Sequence, residues 1–305
     1  MLTRYFERPG GVFLVVLLTL FCFLCFSLNA IFCRFALMTY GMGPLCFVGV
    51  RCLSGAAMLF ALQAARGRHG GAVALWRELM AQSSWPCALF LFGYMLFFAC
   101  GYVNMPSATG TLIQNSAIQV SMIGWGLAGG LRPGKAQLAG LGIAFAGLAL
   151  LLVPGLASPP LINALLIALA GISWGAYTMA GRGAPSPALA TAGNFLRASL
   201  PAAGVLLVCL LQGTAFRAGM DAGALWCAIA SGAGTSALGY TAWYAVQPRL
   251  SVMGASISQL SVPAITAILG FALLGEAISL RLVVCGLIIL SGILLTLRAP
   301  ARPGA

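Results

Sequence analysis

The side chains of this chain that are able to do chemistry are few, and most of them are neutral. Thr111, Asn115 and Gln119 fall at i, i+4 and i+8 within one apolar run, so a helix there carries them as one stripe. A later apolar run carries Ser256, Gln259 and Pro263, with Ser258 and Ser261 adding hydroxyls. Trp174 and Tyr177 are spaced i, i+3, and Tyr240 and Tyr244 i, i+4; Tyr94 and Asn29 sit in two further runs. Amides and hydroxyls inside apolar helices either bond to neighbouring helices or face a wet cavity that holds a polar solute. Rings either line a pocket for a mostly apolar metabolite or anchor helix ends at a membrane interface. Trp85 and Trp226, near the starts of their runs, fit the second use. Arg51 and Arg197 lie about eight residues inside theirs, where an arginine costs ~2.5–3.5 kcal/mol. Each needs a reason: a substrate carboxylate and a solute pathway, or a structural role in which it snorkels to the interface or bonds carbonyls between helices.

Other chemistry finds little support. Glu7, Glu78, Asp221, Glu276 and His69 are dispersed, which leaves no acid/base pair, metal cluster or activated nucleophile, so no catalytic residue, metal or cofactor is expected. Gly129-x4-Gly134-Lys135 resembles most of a phosphate-binding loop, but Ala136 stands where the magnesium-binding hydroxyl belongs and Pro133 removes a backbone donor. Cys22 and Cys25 form a CxxC inside an unbroken apolar run without further ligands, and all ten cysteines read as small buried hydrophobes. Glu276, the one acid close to a span, sits at a helix end rather than at the midplane. If this chain carries a solute, the movement is therefore expected to follow a gradient or exchange, without obligatory proton coupling through a buried acid.

The elements that must position these residues are membrane helices. Apolar residues make up 61% of 305 positions and charged residues 7%, too few charges to cover a water-exposed surface. The net charge of +12 is spread singly between apolar runs rather than gathered into a patch, which argues against nucleic acid as a partner. Ten runs fit a bilayer span: 12–33, 43–63, 84–103, 106–128, 137–153, 161–181, 188–211, 222–247, 251–274 and 280–297. With the N-terminus in the cytoplasm, the inner segments hold eleven Lys and Arg and the outer ones three (Arg34, Arg217, Arg281). The expected protein is an all-α, multi-pass protein of the inner membrane with both termini cytoplasmic.

The chain also repeats itself. Arg51 pairs with Arg197, Gly110 with Gly254, Gly147 with Gly292, and Gly129-Gly130-Leu131 with Leu274-Gly275-Glu276, at offsets between 144 and 146. Five helices per copy is an odd number, so residues 12–153 and 161–298 enter the membrane from opposite sides, as inverted repeats. At these residues the chain resembles the drug/metabolite transporter superfamily, in particular its ten-helix family with two EamA units. Ile172-Ser173-Trp174-Gly175-Ala176-Tyr177, Val262-Pro263 and Leu273-Leu274-Gly275-Glu276 carry the resemblance locally. The first copy departs from it, with Gln119 in place of the proline and Leu131 in place of the glutamate. The resemblance implies a secondary transporter that moves a small metabolite, an amino acid or related compound, outward by alternating access. It also implies a midplane cavity lined by the first, third, fourth, sixth, eighth and ninth spans. A non-transporting scaffold or receptor, and a membrane-embedded enzyme, are the alternatives. The partners are the solute and the lipid bilayer, with monomer and homodimer both open.

Overall fold

A computed structural model describes residues 11–66, 70–128, 134–153, 159–181, 184–214, 221–246, 259 and 261–298. Among them the chain is helical, with eleven helices and no strand. In order they are α1 (Gly11–Arg34, continued by a π-turn Phe35–Thr39), α2 (Pro44–Ala65), α3 (Ala72–Gln82), α4 (Trp85–Gly101), α5 (Ser107–Ala128) and α6 (Lys135–Leu152). There follow α7 (Leu161–Ala180), α8 (Pro187–Leu211), α9, α10 (Val262–Leu274) and α11 (Leu280–Arg298). The rod α9 runs as α-helix Ala222–Ile229, π-helix Ala230–Leu238 and α-helix Gly239–Val246. Starts are set by local chemistry: Pro44 and Pro187 occupy first-turn positions that need no N–H donor, Ser84 Oγ accepts from Cys87 N, and the Asp221 carboxylate caps α9.

Ten of these helices overlap the ten runs read from the sequence, and α3 is an addition. The segment between the second and third runs, expected as a cytoplasmic connection, folds into an 11-residue helix because Leu75 and Leu79, four apart, both bury their side chains. It meets α4 at 86°. Five helices are long and apolar enough to cross a membrane, or six if the bent pair α3–α4 forms one span. The 22-residue α5 has the length but carries the stripe of amides and hydroxyls, and is not among those five. Of the ninth run, residues 251–258 lie outside the described residues, as do Gly129 to Pro133 of the glycine-rich loop.

Large apolar side chains stand on the surface, and the mostly apolar interior also holds polar ones. Phe13, Leu200, Leu211, Trp226, Leu280 and Leu287 are each at least 65% exposed, whereas Ser27, Asn29, Arg51, Ser231 and Ser236 are at most 1% exposed. Exposed apolar side chains around buried polar ones suit hydrocarbon as the solvent. The helices pair as α6 with α11, α2 with α8, α5 with α10, α4 with α7, α1 with α9, α5 with α7, α1 with α10, α2 with α9 and α4 with α8. Small residues allow the closest of these approaches: a Cβ on Gly292 would lie 2.6 Å from the Gly140 carbonyl and 2.5 Å from the Ala144 nitrogen.

Candidate functional site

A cavity opens where α1, α4, α5, α7 and α9 converge with Gln259 and Val262. Its wall comprises Phe26, Asn29, Tyr94, Phe98, Thr111, Gln114, Asn115, Ile118, Trp174, Tyr240, Gln259 and Val262. It brings together seven of the residues singled out from the sequence: Asn29, Tyr94, Thr111, Asn115, Trp174, Tyr240 and Gln259. Trp174 is the hub of the aromatic wall, with ring centroids 4.9 Å from Tyr94 and 4.8 Å from Tyr240. Tyr177 packs behind it at 5.6 Å, buried rather than facing the cavity.

Two expected residues face elsewhere. Gln119 lines a separate, mostly apolar pocket with Ser116, Phe145 and Thr296. Eight residues at 3.6 per turn rotate it about 80° from Thr111, so the inward face of α5 is Thr111, Gln114, Asn115 and Ile118 at i, i+3, i+4 and i+7. Pro263 lies in an apolar groove with Ala108 and Leu282, while its neighbour Val262 turns to the cavity. Ser256 and the side chain of Tyr244 lie outside the described residues.

The polar wall is built by local hydrogen bonds. Asn115 Nδ2 donates to the Thr111 carbonyl at 2.9 Å, which turns its Oδ1 away from its own helix. Asn29 Oδ1 accepts from Ser231 Oγ at 2.8 Å, Thr235 Oγ1 at 2.6 Å and Ser236 Oγ at 3.4 Å. All three hydroxyls stand on the π-helical part of α9, whose wider turn brings 231, 235 and 236 onto one face. The sequence reading missed these three, together with Phe26, Phe98 and Gln114. The signal was Ser231-Gly-Ala-Gly-Thr-Ser236, a small polar run inside an apolar span.

Arg51 and Arg197, paired by spacing in the sequence, are used differently. Arg51 is fully buried beside the cavity wall, donating from Nε and Nη2 to Ser236 Oγ and from Nη2 to Tyr94 Oη and Tyr240 Oη. Arg197 is half-buried at the α3–α4 corner. Its Nε donates to Ser83 Oγ at 2.8 Å, its Nη2 donates to the Met80 carbonyl at 3.1 Å, and its guanidinium stands 5.2 Å from the centre of the Trp85 ring. Asn194 Oδ1 accepts from Ser84 N on the same corner. Arg197→Met is expected to lower the unfolding free energy by about 1–2 kcal/mol, because a carbonyl and a hydroxyl lose their donor. Thermal unfolding in detergent, with faster proteolysis at 82–85, checks this.

At the other end of the bundle, Gly275 takes a left-handed conformation (φ 65°) that folds Glu276 back onto the start of α5. Glu276 Oε1 accepts from Arg34 Nε at 3.0 Å, and Oε2 accepts from Ser107 N at 2.7 Å and Ser107 Oγ at 2.6 Å. Arg34 also donates to the Tyr102 carbonyl. Among the described residues this is the one ion pair, no carboxylate lines the cavity, and no group of histidine, cysteine and acid side chains is placed to hold a metal.

Three comparisons bear on this arrangement. The pattern of the EamA-like transporter family matches residues 161–298. The uncharacterized protein PA1977 of Pseudomonas aeruginosa is 40% identical over 296 residues, 95% of this chain and 98% of its own length. A solved crystal structure superimposes with a TM-score of 0.62 at 21% identity, over 92% of this chain and 96% of that one, which shows a shared fold.

Proposed function

The chain belongs to the EamA-like transporter family, within the drug/metabolite transporter superfamily, and from that membership we propose that it is a secondary carrier exporting a small metabolite across the inner membrane by alternating access. Members of that family are multi-pass membrane transporters, not enzymes. The observation that carries the proposal for this chain is the central cavity, which gathers amides, hydroxyls and rings inside a bundle whose outer surface is apolar.

Ten spans in two inverted halves account for the helix pairing. Matching α1 with α7, α2 with α8, α4 with α9, α5 with α10 and α6 with α11 maps the pairing onto itself. The contacts α2–α8, α5–α10 and α6–α11 join equivalent members; α4–α7 becomes α9–α1, α5–α7 becomes α10–α1, and α2–α9 becomes α8–α4. This self-consistency supports a pseudo-twofold axis with the cavity on it, and both halves contribute to its wall. Rocking of one half against the other would expose the cavity to each side in turn, with the N- and C-termini in the cytoplasm and the Arg34–Glu276 pair at the outer end. With both oxygens of Glu276 engaged, and no acid in the described cavity wall, coupling to a gradient or to exchange remains the reading.

Purified protein in liposomes, loaded with a panel of radiolabelled amino acids and organic acids, is expected to release or exchange at least one of them above the rate of protein-free vesicles. Asn115→Leu removes the cavity-facing amide without enlarging the space and is expected to cut that flux about tenfold while the folded yield is unchanged. Flux of no solute, with folded protein in the bilayer, overturns the carrier in favour of a scaffold or receptor; chemical conversion of a solute points to an enzyme.

A further inference from the structure

Arg51 has more donors than its surroundings use. It is 0% exposed, and every acceptor it reaches among the described residues is a neutral hydroxyl: Ser236 Oγ at 3.1 and 3.2 Å, Tyr94 Oη at 3.3 Å and Tyr240 Oη at 3.5 Å. Its guanidinium carbon lies 4.9 Å from the centre of the Phe98 ring and 5.4 Å from that of Tyr94, so rings rather than an acid face it. Nη1 is buried with no acceptor among the described residues. Of the three described acids, Glu276 is committed to Arg34 and Ser107, Asp221 to the start of α9, and Glu78 belongs to α3, which gives no residue to the cavity wall. A guanidinium withdrawn from water without an anion is costly, and neutral hydroxyls and ring faces offset only part of that cost.

The neighbouring donors follow the same pattern. Tyr94 Oη accepts from Arg51 and from Tyr240, which leaves its own O–H to donate. Asn29 spends Oδ1 on three hydroxyls, and its other polar atom, Nδ2, is a donor. Tyr94, Phe98, Tyr240 and Asn29 all line the cavity, so Arg51 stands one aromatic layer behind the wall. One pole of the cavity is therefore rich in donors and carries a full positive charge, and α5 adds Thr111, Gln114 and Asn115 to the same wall.

We propose that Arg51 makes this cavity selective for a carboxylate-bearing solute, whose charge sits at the Tyr94–Asn29 pole and whose apolar body lies against Trp174 and Phe26. The inference rests on the central cavity being the solute site. A carboxylate supplies acceptor lone pairs on two oxygens, enough to meet Tyr94, Asn29 and the field of Arg51 together, and it brings the counter-ion that the described protein lacks. The guanidinium polarises the Tyr94 hydroxyl, which strengthens it as a donor toward the solute. A cationic solute meets repulsion at the same pole.

The test uses the full chain purified in detergent and two charge-differing pairs of probes: phenylacetate with phenylacetamide, and hexanoate with hexanamide. Probe-dependent thermal stabilisation gives the affinities. The wild type is expected to bind the carboxylates about ten- to a hundredfold more tightly than the amides, the range of a hydrogen bond to a charged group. Arg51→Gln is expected to erase the preference without weakening amide binding, and Arg51→Lys to keep part of it. Tyr94→Phe, which leaves the charge in place, is expected to lose part of the preference, and it carries the test should Arg51→Gln fail to fold. Absence of a carboxylate preference in the wild type overturns the proposal, as does a preference that survives in folded Arg51→Gln or, failing that variant, stays undiminished in Tyr94→Phe. The carrier reading fails separately: a charge preference without flux of any solute in liposomes leaves the anion site and removes the carrier, and flux without the preference does the reverse.

Discussion

Gly232→Ala is expected to destabilise the fold by about 3 kcal/mol or more, and Gly234→Ala, two residues on, to change it little. A Cβ at Gly232 would lie 2.1 Å from the Arg51 carbonyl oxygen, 2.1 Å from Ser54 Oγ and 2.9 Å from the Arg51 carbonyl carbon, whereas at Gly234 nothing lies within 4 Å. The Ser54 hydroxyl is able to rotate away, but the Arg51 backbone is not, so relief requires α2 and α9 to part. That separation acts on the site as well. Ser236, one turn along the same π-helical segment, accepts from Nε and Nη2 of Arg51 and donates to Asn29, so parting the helices also breaks a buried chain of three polar groups. Thermal unfolding in detergent should show the 232 variant falling well below both the wild type and the 234 variant; equal midpoints for the two variants would remove the close approach as a determinant of stability.

How far the sequence discloses this architecture depends on what kind of residue carries each feature. Long apolar runs declare themselves because a lipid-facing helix tolerates few charges, and for most helices the run and the helix agree to within two or three residues: 188–211 against Pro187–Leu211, 161–181 against Leu161–Ala180. The short α3 did not declare itself, because two buried leucines beside Arg77 and Glu78 read equally well as a loop. Phase was the second difficulty. The stripe Thr111, Asn115, Gln119 follows one ridge of the helix, but a ridge drifts around the axis, and the cavity took Gln114 and Ile118 in place of Gln119. The third was the π-helix. Ser231, Thr235 and Ser236 converge on Asn29 only through a turn wider than 3.6 residues, which no count on an ideal α-helix would find. The expectation that Arg51 and Arg197 correspond came from spacing alone, and spacing says nothing of how differently they are employed. One faces rings and hydroxyls in the centre, the other a helix corner at the end, and only the partners decide which.

Glu276→Lys is expected to cost about 3–5 kcal/mol, the largest loss from a single side chain outside the cavity. The substitution puts an ammonium where Arg34 Nε now lies 3.0 Å from a carboxylate oxygen, in a site where both side chains are at most 15% exposed. It also replaces an acceptor by a donor at the start of α5, where Ser107 N and Oγ both donate to Glu276 and the helix dipole favours negative charge. The two parts of the loss separate in a double exchange. Arg34→Glu with Glu276→Lys restores an ion pair of reversed polarity but leaves the α5 N-terminus facing a cation, so the pair is expected to recover only the charge–charge part. Measured by thermal unfolding of the four proteins, the coupling between the two positions should be about 1–3 kcal/mol, with the double exchange still clearly below the wild type. Full recovery would mean that Ser107 and the helix end contribute nothing. No recovery at all would mean that the ion pair contributes nothing, and that Glu276 stays at the end of α10 only as a cap for α5. The room for that carboxylate is itself built in: a Cβ on Gly270 would stand 2.4 Å from Ser107 Oγ and 2.9 Å from Glu276 Oε2. Gly270→Ala should therefore reproduce part of the same loss while every charge is kept, which ties the Leu-Gly-Glu ending of α10 to a contact between the chain's two halves rather than to the end of α10 alone.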